Sequence, residues 1–103
     1  MTAPILALVL AISPAPHARY NVSVHGAPRQ HVTLRAAGVP NGWIASFCNG
    51  HLCSPFSYDM DLDARGAGTI ELQAVRTGDT APHRIRFRVT SAGAAPVSLS
   101  VTR

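Results

Sequence analysis

From Tyr20 onward apolar and polar side chains alternate with period two, and turn-forming residues recur at short intervals. That rhythm is the signature of half-buried β-strands, whose successive side chains face opposite sides of a sheet. Tyr20–His25 alternates and stops at Gly26 and Pro28. Gln30–Ala36 sets Val32 and Leu34 on one face and His31, Thr33 and Arg35 on the other. Gly38–Val39–Pro40–Asn41–Gly42 ends it, and Trp43–Phe47 begins a third strand with Trp43, Ala45 and Phe47 in register. Ser57–Leu62 turns Tyr58, Met60 and Leu62 inward and Asp59, Asp61 and Asp63 outward. After a turn at Ala64–Gly68, Thr69–Val75 buries Ile70, Leu72 and Ala74. Arg84–Thr90 buries Ile85, Phe87 and Val89, and Val97–Thr102 buries Val97, Leu99 and Val101.

No stretch beyond residue 19 keeps a helical period, so the chain is predicted to be all-β. About seven short strands predict an immunoglobulin-like two-sheet antiparallel β-sandwich, in which two inner faces share one core.

The N-terminal segment breaks the rhythm. Ile5–Ile12 is an unbroken apolar run followed by Ser13, Pro14, Ala15, Pro16, His17 and Ala18. An apolar core followed by small residues is the pattern of a secretory signal peptide, so residues 1–18 are expected to be a leader and 19–103 the domain. The competing reading is a first strand. The run is too short for a transmembrane anchor, which needs about 20 apolar residues.

Of the 103 residues, 47% are hydrophobic and 14% charged, a composition that folds rather than stays disordered. A domain of this size buries only about 60–65% of its unfolded surface, so a covalent staple would help it. The formal charge is +4, all of its cationic side chains being Arg. A charge of this size attracts anions, but no basic run interleaved with aromatics marks a specific nucleic-acid binder.

Three passages resemble the bacterial immunoglobulin-like domains of the NPCBM-associated type, found in secreted glycosidases and surface proteins. They are Gly38–Val39–Pro40–Asn41–Gly42–Trp43, Leu62 to Ile70, and His83 to Val89. The middle passage departs from the family in having Ala64–Arg65–Gly66 where Pro-Gly is usual. The resemblance implies an accessory or adhesive role and carries over no catalytic residue.

The chemistry-bearing residues form few constellations. Cys48 and Cys53 flank Asn49–Gly50–His51–Leu52, and in an exported chain they are expected to form a local disulfide. The alternative uses Cys48 and His51 as copper ligands, because Phe47-Cys48-x-x-His51 resembles the ligand loop of cupredoxins; such a site also needs a weak axial ligand, usually Met, and Met60 lies nine residues past His51, beyond the family's usual gap. Zinc on Cys48, His51 and Cys53 lacks a fourth ligand. Asp59, Asp61 and Asp63 superficially begin a calcium loop, but Ala64 and Ile70 stand where Gly and Glu are required, which favours a solvated strand face.

Period two places Arg84, Arg86 and Arg88 on one face, beside Ser98, Ser100 and Thr102 of the last strand. That basic, hydroxyl-rich face suits carboxylates, sulfates or phosphates. No nucleophile–base pairing or phosphate loop suggests an enzyme, and no cofactor is expected. The sequence therefore predicts a secreted, periplasmic or cell-surface domain with a structural, adhesive or accessory binding role. Its partner would be an anionic glycan, a cell-envelope component or another protein.

Overall fold

The computed structural model describes residues 8–15, 19–76 and 84–102. They form nine strands: β1 (Val9–Ala15), β2 (Arg19–His25), β3 (His31–Ala37), β4 (Trp43–Asn49), β5 (Leu52–Pro55), β6 (Ser57–Asp61), β7 (Ala67–Arg76), β8 (Arg84–Thr90) and β9 (Val97–Thr102). Two antiparallel sheets pack face to face, one in the order β1-β2-β7-β4-β5 and the other β6-β3-β8-β9. The fold is thus the all-β, two-sheet sandwich that the alternation predicts, with nine strands in place of about seven.

Seven strands coincide with the expected ones to within a few residues. Apart from Ile85, whose side chain lies outside the described set, the inward positions are those the alternation marks. Val22, Val24, Ala45, Phe47, Ile70, Leu72 and Ala74 of one sheet meet Val32, Leu34, Phe87, Val89, Leu99 and Val101 of the other in a dry core. Each fully buried Val, Leu or Phe contributes about 1.5–3 kcal/mol relative to an exposed one. Trp43 is buried as expected, with its strand β4 bonded to β7 in the five-stranded sheet.

The two additional strands have different origins. β5 is the return arm of the cysteine hairpin. β1 falls within the segment whose composition suggests a leader. It pairs with β2 over its whole length, Leu10 facing Val24 and Ile12 facing Val22. Leu8 and Leu10 lie in the core and Ile12 packs against it, while Val9 and Ala11 face outward. Cleavage after Ala15 or Ala18 would take this strand away and leave the backbone edge of β2 unpaired.

The chain changes sheet between β5 and β6 at Phe56, which adopts a left-handed backbone with φ 65°. Its N–H donates to the Ala45 carbonyl of β4 at 2.7 Å, and its carbonyl accepts from the Ala36 N–H of β3 at 2.8 Å. One residue thereby ties the two sheets together. A second tie closes the far end, where the Gly26 N–H donates to the Gly66 carbonyl at 2.8 Å and the Arg29 N–H to the Asp63 carbonyl at 2.9 Å. Gly66 has φ 77°, and a Cβ there would stand 2.1 Å from the Gly26 carbonyl oxygen, so only glycine fits.

Candidate functional site: the outer face of the four-stranded sheet

β8 lies between β3 and β9, but β3 pairs only with Arg88–Thr90, so Arg88 is flanked on both sides and Arg86 on the β9 side alone. Antiparallel register sets Arg86 opposite Ser100 and Arg88 opposite Ser98. On the other flank Arg88 faces Ala37, the last residue of β3. Arg86, Arg88, Ser98 and Ser100 are all exposed. Arg84 continues the strand opposite Thr102, and the side chains of both lie outside the described set.

Side-chain size explains the shape of this surface. β3 ends at Ala37, Gly38 follows it, and nothing lies within 4 Å of where a Cβ on Gly38 would be. Among the described side chains, β9 contributes Ser98 and Ser100 to the same face. The two guanidinium groups therefore rise from a shallow region, which forms an open groove of about 420 Å³ lined by Ala37 and Gly38 on one flank, Arg86–Arg88 in the middle and Ser98–Ser100 on the other.

Among the described residues neither Arg86 nor Arg88 has a carboxylate within 4 Å. The described acids are engaged elsewhere. Glu71 pairs with Arg19 at 3.6 Å on the opposite sheet. Asp61 Oδ1 lies 2.7 Å from His31 Nδ1, and Asp59 accepts a hydrogen bond from the Thr33 hydroxyl. Asp63 leaves the strand altogether: its Oδ1 accepts the backbone N–H groups of Arg65 at 2.8 Å and Ala67 at 3.0 Å. Those two bonds, from Ala67 first and Arg65 second, hold its carboxyl below the ordinary aspartate range.

The candidate metal ligands are not brought together. Cys48 and Cys53 are directly opposed across β4 and β5, with Cα atoms 4.0 Å apart, and they form a disulfide. The thiolate that copper or zinc requires is consumed by that bond. Gly50 and His51 make the two-residue turn, because Asn49 pairs with Leu52. Gly50 has φ 65° at the first central position, as a type II′ hairpin turn requires. In the chain-entropy model so short a loop gains about 2 kcal/mol from its cross-link. Met60 lies in the other sheet, opposite Val32. Asp59 and Asp61 form the solvated strand face expected of them, and Asp63 forms a turn. Among the described residues no group of three or more His, Cys, Asp or Glu side chains could hold a metal ion. No described helix is long and apolar enough to cross a membrane.

The structure adds Ala37 and Gly38 to the site. Neither residue carries a side chain that marks a site in the sequence, and only the pairing of Ala37 with Arg88 brings them to the groove's third side. No family model matches the chain, and no curated protein matches it. The class is defined by the fold alone: a two-sheet antiparallel β-sandwich with a disulfide-clamped hairpin.

Proposed function

We propose that this protein is an exported, non-catalytic immunoglobulin-like module with an adhesive or accessory binding role, and that it recognises anionic groups through the Arg86/Arg88 groove. The observation that carries the reading is the pair of exposed guanidinium groups standing over serine hydroxyls, with no carboxylate among the described residues to neutralise them. Guanidinium forks bind carboxylate, sulfate and phosphate oxygens in two-point fashion, and neighbouring hydroxyls add donors. The candidate partners are an anionic glycan, a cell-envelope component or another protein. Placement outside the reducing cytosol is supported by the Cys48–Cys53 disulfide, since such bonds persist in oxidising compartments. The resemblance of residues 38–43 and 83–89 to bacterial immunoglobulin-like accessory domains points the same way.

The test is binding of a fluorescent heparin oligosaccharide and of polyglutamate at low ionic strength. The double variant Arg86→Ser/Arg88→Ser should bind both at least about tenfold more weakly, the loss of one charge-assisted hydrogen bond being enough for that. Its circular dichroism and melting temperature should match the parent, because both side chains are exposed. Affinity indifferent to the double substitution at low salt overturns the reading.

A further inference from the structure

Among the described residues four strands lie at sheet edges, and three of them carry devices that discourage pairing with another chain. β1 has Pro14 inside it, opposite Tyr20, and β2, the edge that leader cleavage would bare, begins with Arg19 and ends with His25. β5 is only four residues long and ends in Pro55. β6 carries Asp59 and Asp61. Proline, brevity and charge are the usual ways of blunting a sheet edge.

β9 has none of them. Val97–Thr102 contains neither proline nor a charged side chain. It runs in unbroken register with β8 from Val97 opposite Val89 to Thr102 opposite Arg84. Among the described residues it pairs within its sheet with β8 alone; Ala94, three residues before it, bridges Leu8 in parallel, so β1 flanks the start of this edge and the backbone N–H and C=O groups beyond that point face outward. The fully bonded register excludes a bulge that would twist this edge away.

We propose that β9 is a docking edge for an extended acidic segment of a partner protein, which adds to the sheet as a further strand and sets its carboxylates beside Arg86 and Arg88. This deepens the anion-recognition reading and rests on it. The geometry supports it as follows. An added strand lies about 4.8 Å beyond β9, and its side chains alternate between the two faces with the β9 pattern. On the outer face only Ser98 and Ser100 separate it from the arginines, and both are short enough for a long cation and a glutamate to meet above them. On the inner face its alternate side chains lie beside Leu99 and Val101, which favours small apolar residues. The preferred segment therefore alternates acidic with β-branched residues. Main-chain hydrogen bonds supply affinity, and the carboxylates supply selectivity. A second copy of this chain is the poorer occupant, because pairing β9 with β9 brings two arginine rows onto one continuous face.

The experiment uses the full chain and an alternating Glu-Val peptide of about eight residues, labelled for fluorescence anisotropy at low salt. A second peptide of the same sequence is N-methylated at alternate residues so that it cannot pair with a strand edge. The unmethylated peptide should bind at least about tenfold more tightly than the methylated one. It should slow hydrogen exchange at β9 amides and lose affinity in Arg86→Ser/Arg88→Ser. Equal binding of the two peptides overturns strand addition and leaves anion recognition standing. So does binding of the heparin oligosaccharide without either peptide, which assigns the groove to glycans. Failure of heparin, polyglutamate and both peptides removes the two readings together. Sedimentation of the free protein as a dimer that the peptide does not dissociate assigns the edge to a second copy and overturns the inference.

Discussion

The two halves of the four-stranded sheet's outer face are built by the same alternation and end up with different chemistry. On the β6/β3 half, carboxylates project beside partners: Asp61 beside His31, Asp59 beside Thr33, and Asp63 folded onto the amides of its own turn. On the β8/β9 half, Arg86 and Arg88 project beside serines, with Ala37 and Gly38 leaving the flank low. A charged row by itself therefore says little about function. What separates a stabilising row from a binding row is whether the neighbouring strand brings a counter-charge, and strand order decides that.

This contrast predicts that damage to the acidic half shows in stability and damage to the basic half shows in binding. The largest effect should come from Gly66→Ala, in the turn that Asp63 organises. The substitution forces an alanine into a left-handed conformation and against a carbonyl, and we expect a loss of at least about 2 kcal/mol in denaturant unfolding. Polyanion affinity of the protein that remains folded should be unaltered; a parallel loss of affinity would dissolve the distinction between the halves. Asp59→Asn/Asp61→Asn should be milder. Exposed pairs of this kind contribute about 0–1 kcal/mol, and removing two negative charges from the face should raise low-salt polyanion affinity slightly. A reduced affinity in that variant would mean that the acids take part in binding.

The smallest effect concerns pH. Asp63 is the stronger acid in the folded chain, because Ala67 and Arg65 donate to its ionised form there. Its contribution is complete above its unfolded pKa of about 4 and is lost as pH falls through the lower folded value. Stability should decline over that acid range, and Asp63→Asn should flatten the decline. An unchanged acid limb in urea titrations would show that the turn does not depend on the carboxylate's charge.

Much of this was legible in the chain itself. Inward and outward positions in seven strands follow from period two, as at Val32 and Leu34 against His31 and Arg35. The arginine stripe and its serine neighbours follow from the same parity. β1 was obscured because its outward positions, Val9 and Ala11, are themselves apolar, so the run reads as uniformly hydrophobic. The usable signal was size: Leu8, Leu10 and Ile12 are larger than the residues between them and point into the core. β5 was obscured by brevity, four residues being too few for a pattern. The groove's third side was not legible, because Ala37 and Gly38 come to flank it only through pairing across more than fifty residues of chain.

Side-chain parity along each segment is a local property, set by the pleat and independent of what lies alongside. It was enough to give the all-β class, the inner faces and the single-signed rows. Which row meets which neighbour depends on lateral strand order, and that order is settled by the packing of the whole core. Only the folded molecule could therefore show that the cysteines are opposed, that the described acids are occupied, and that β9 is the edge without proline or charge.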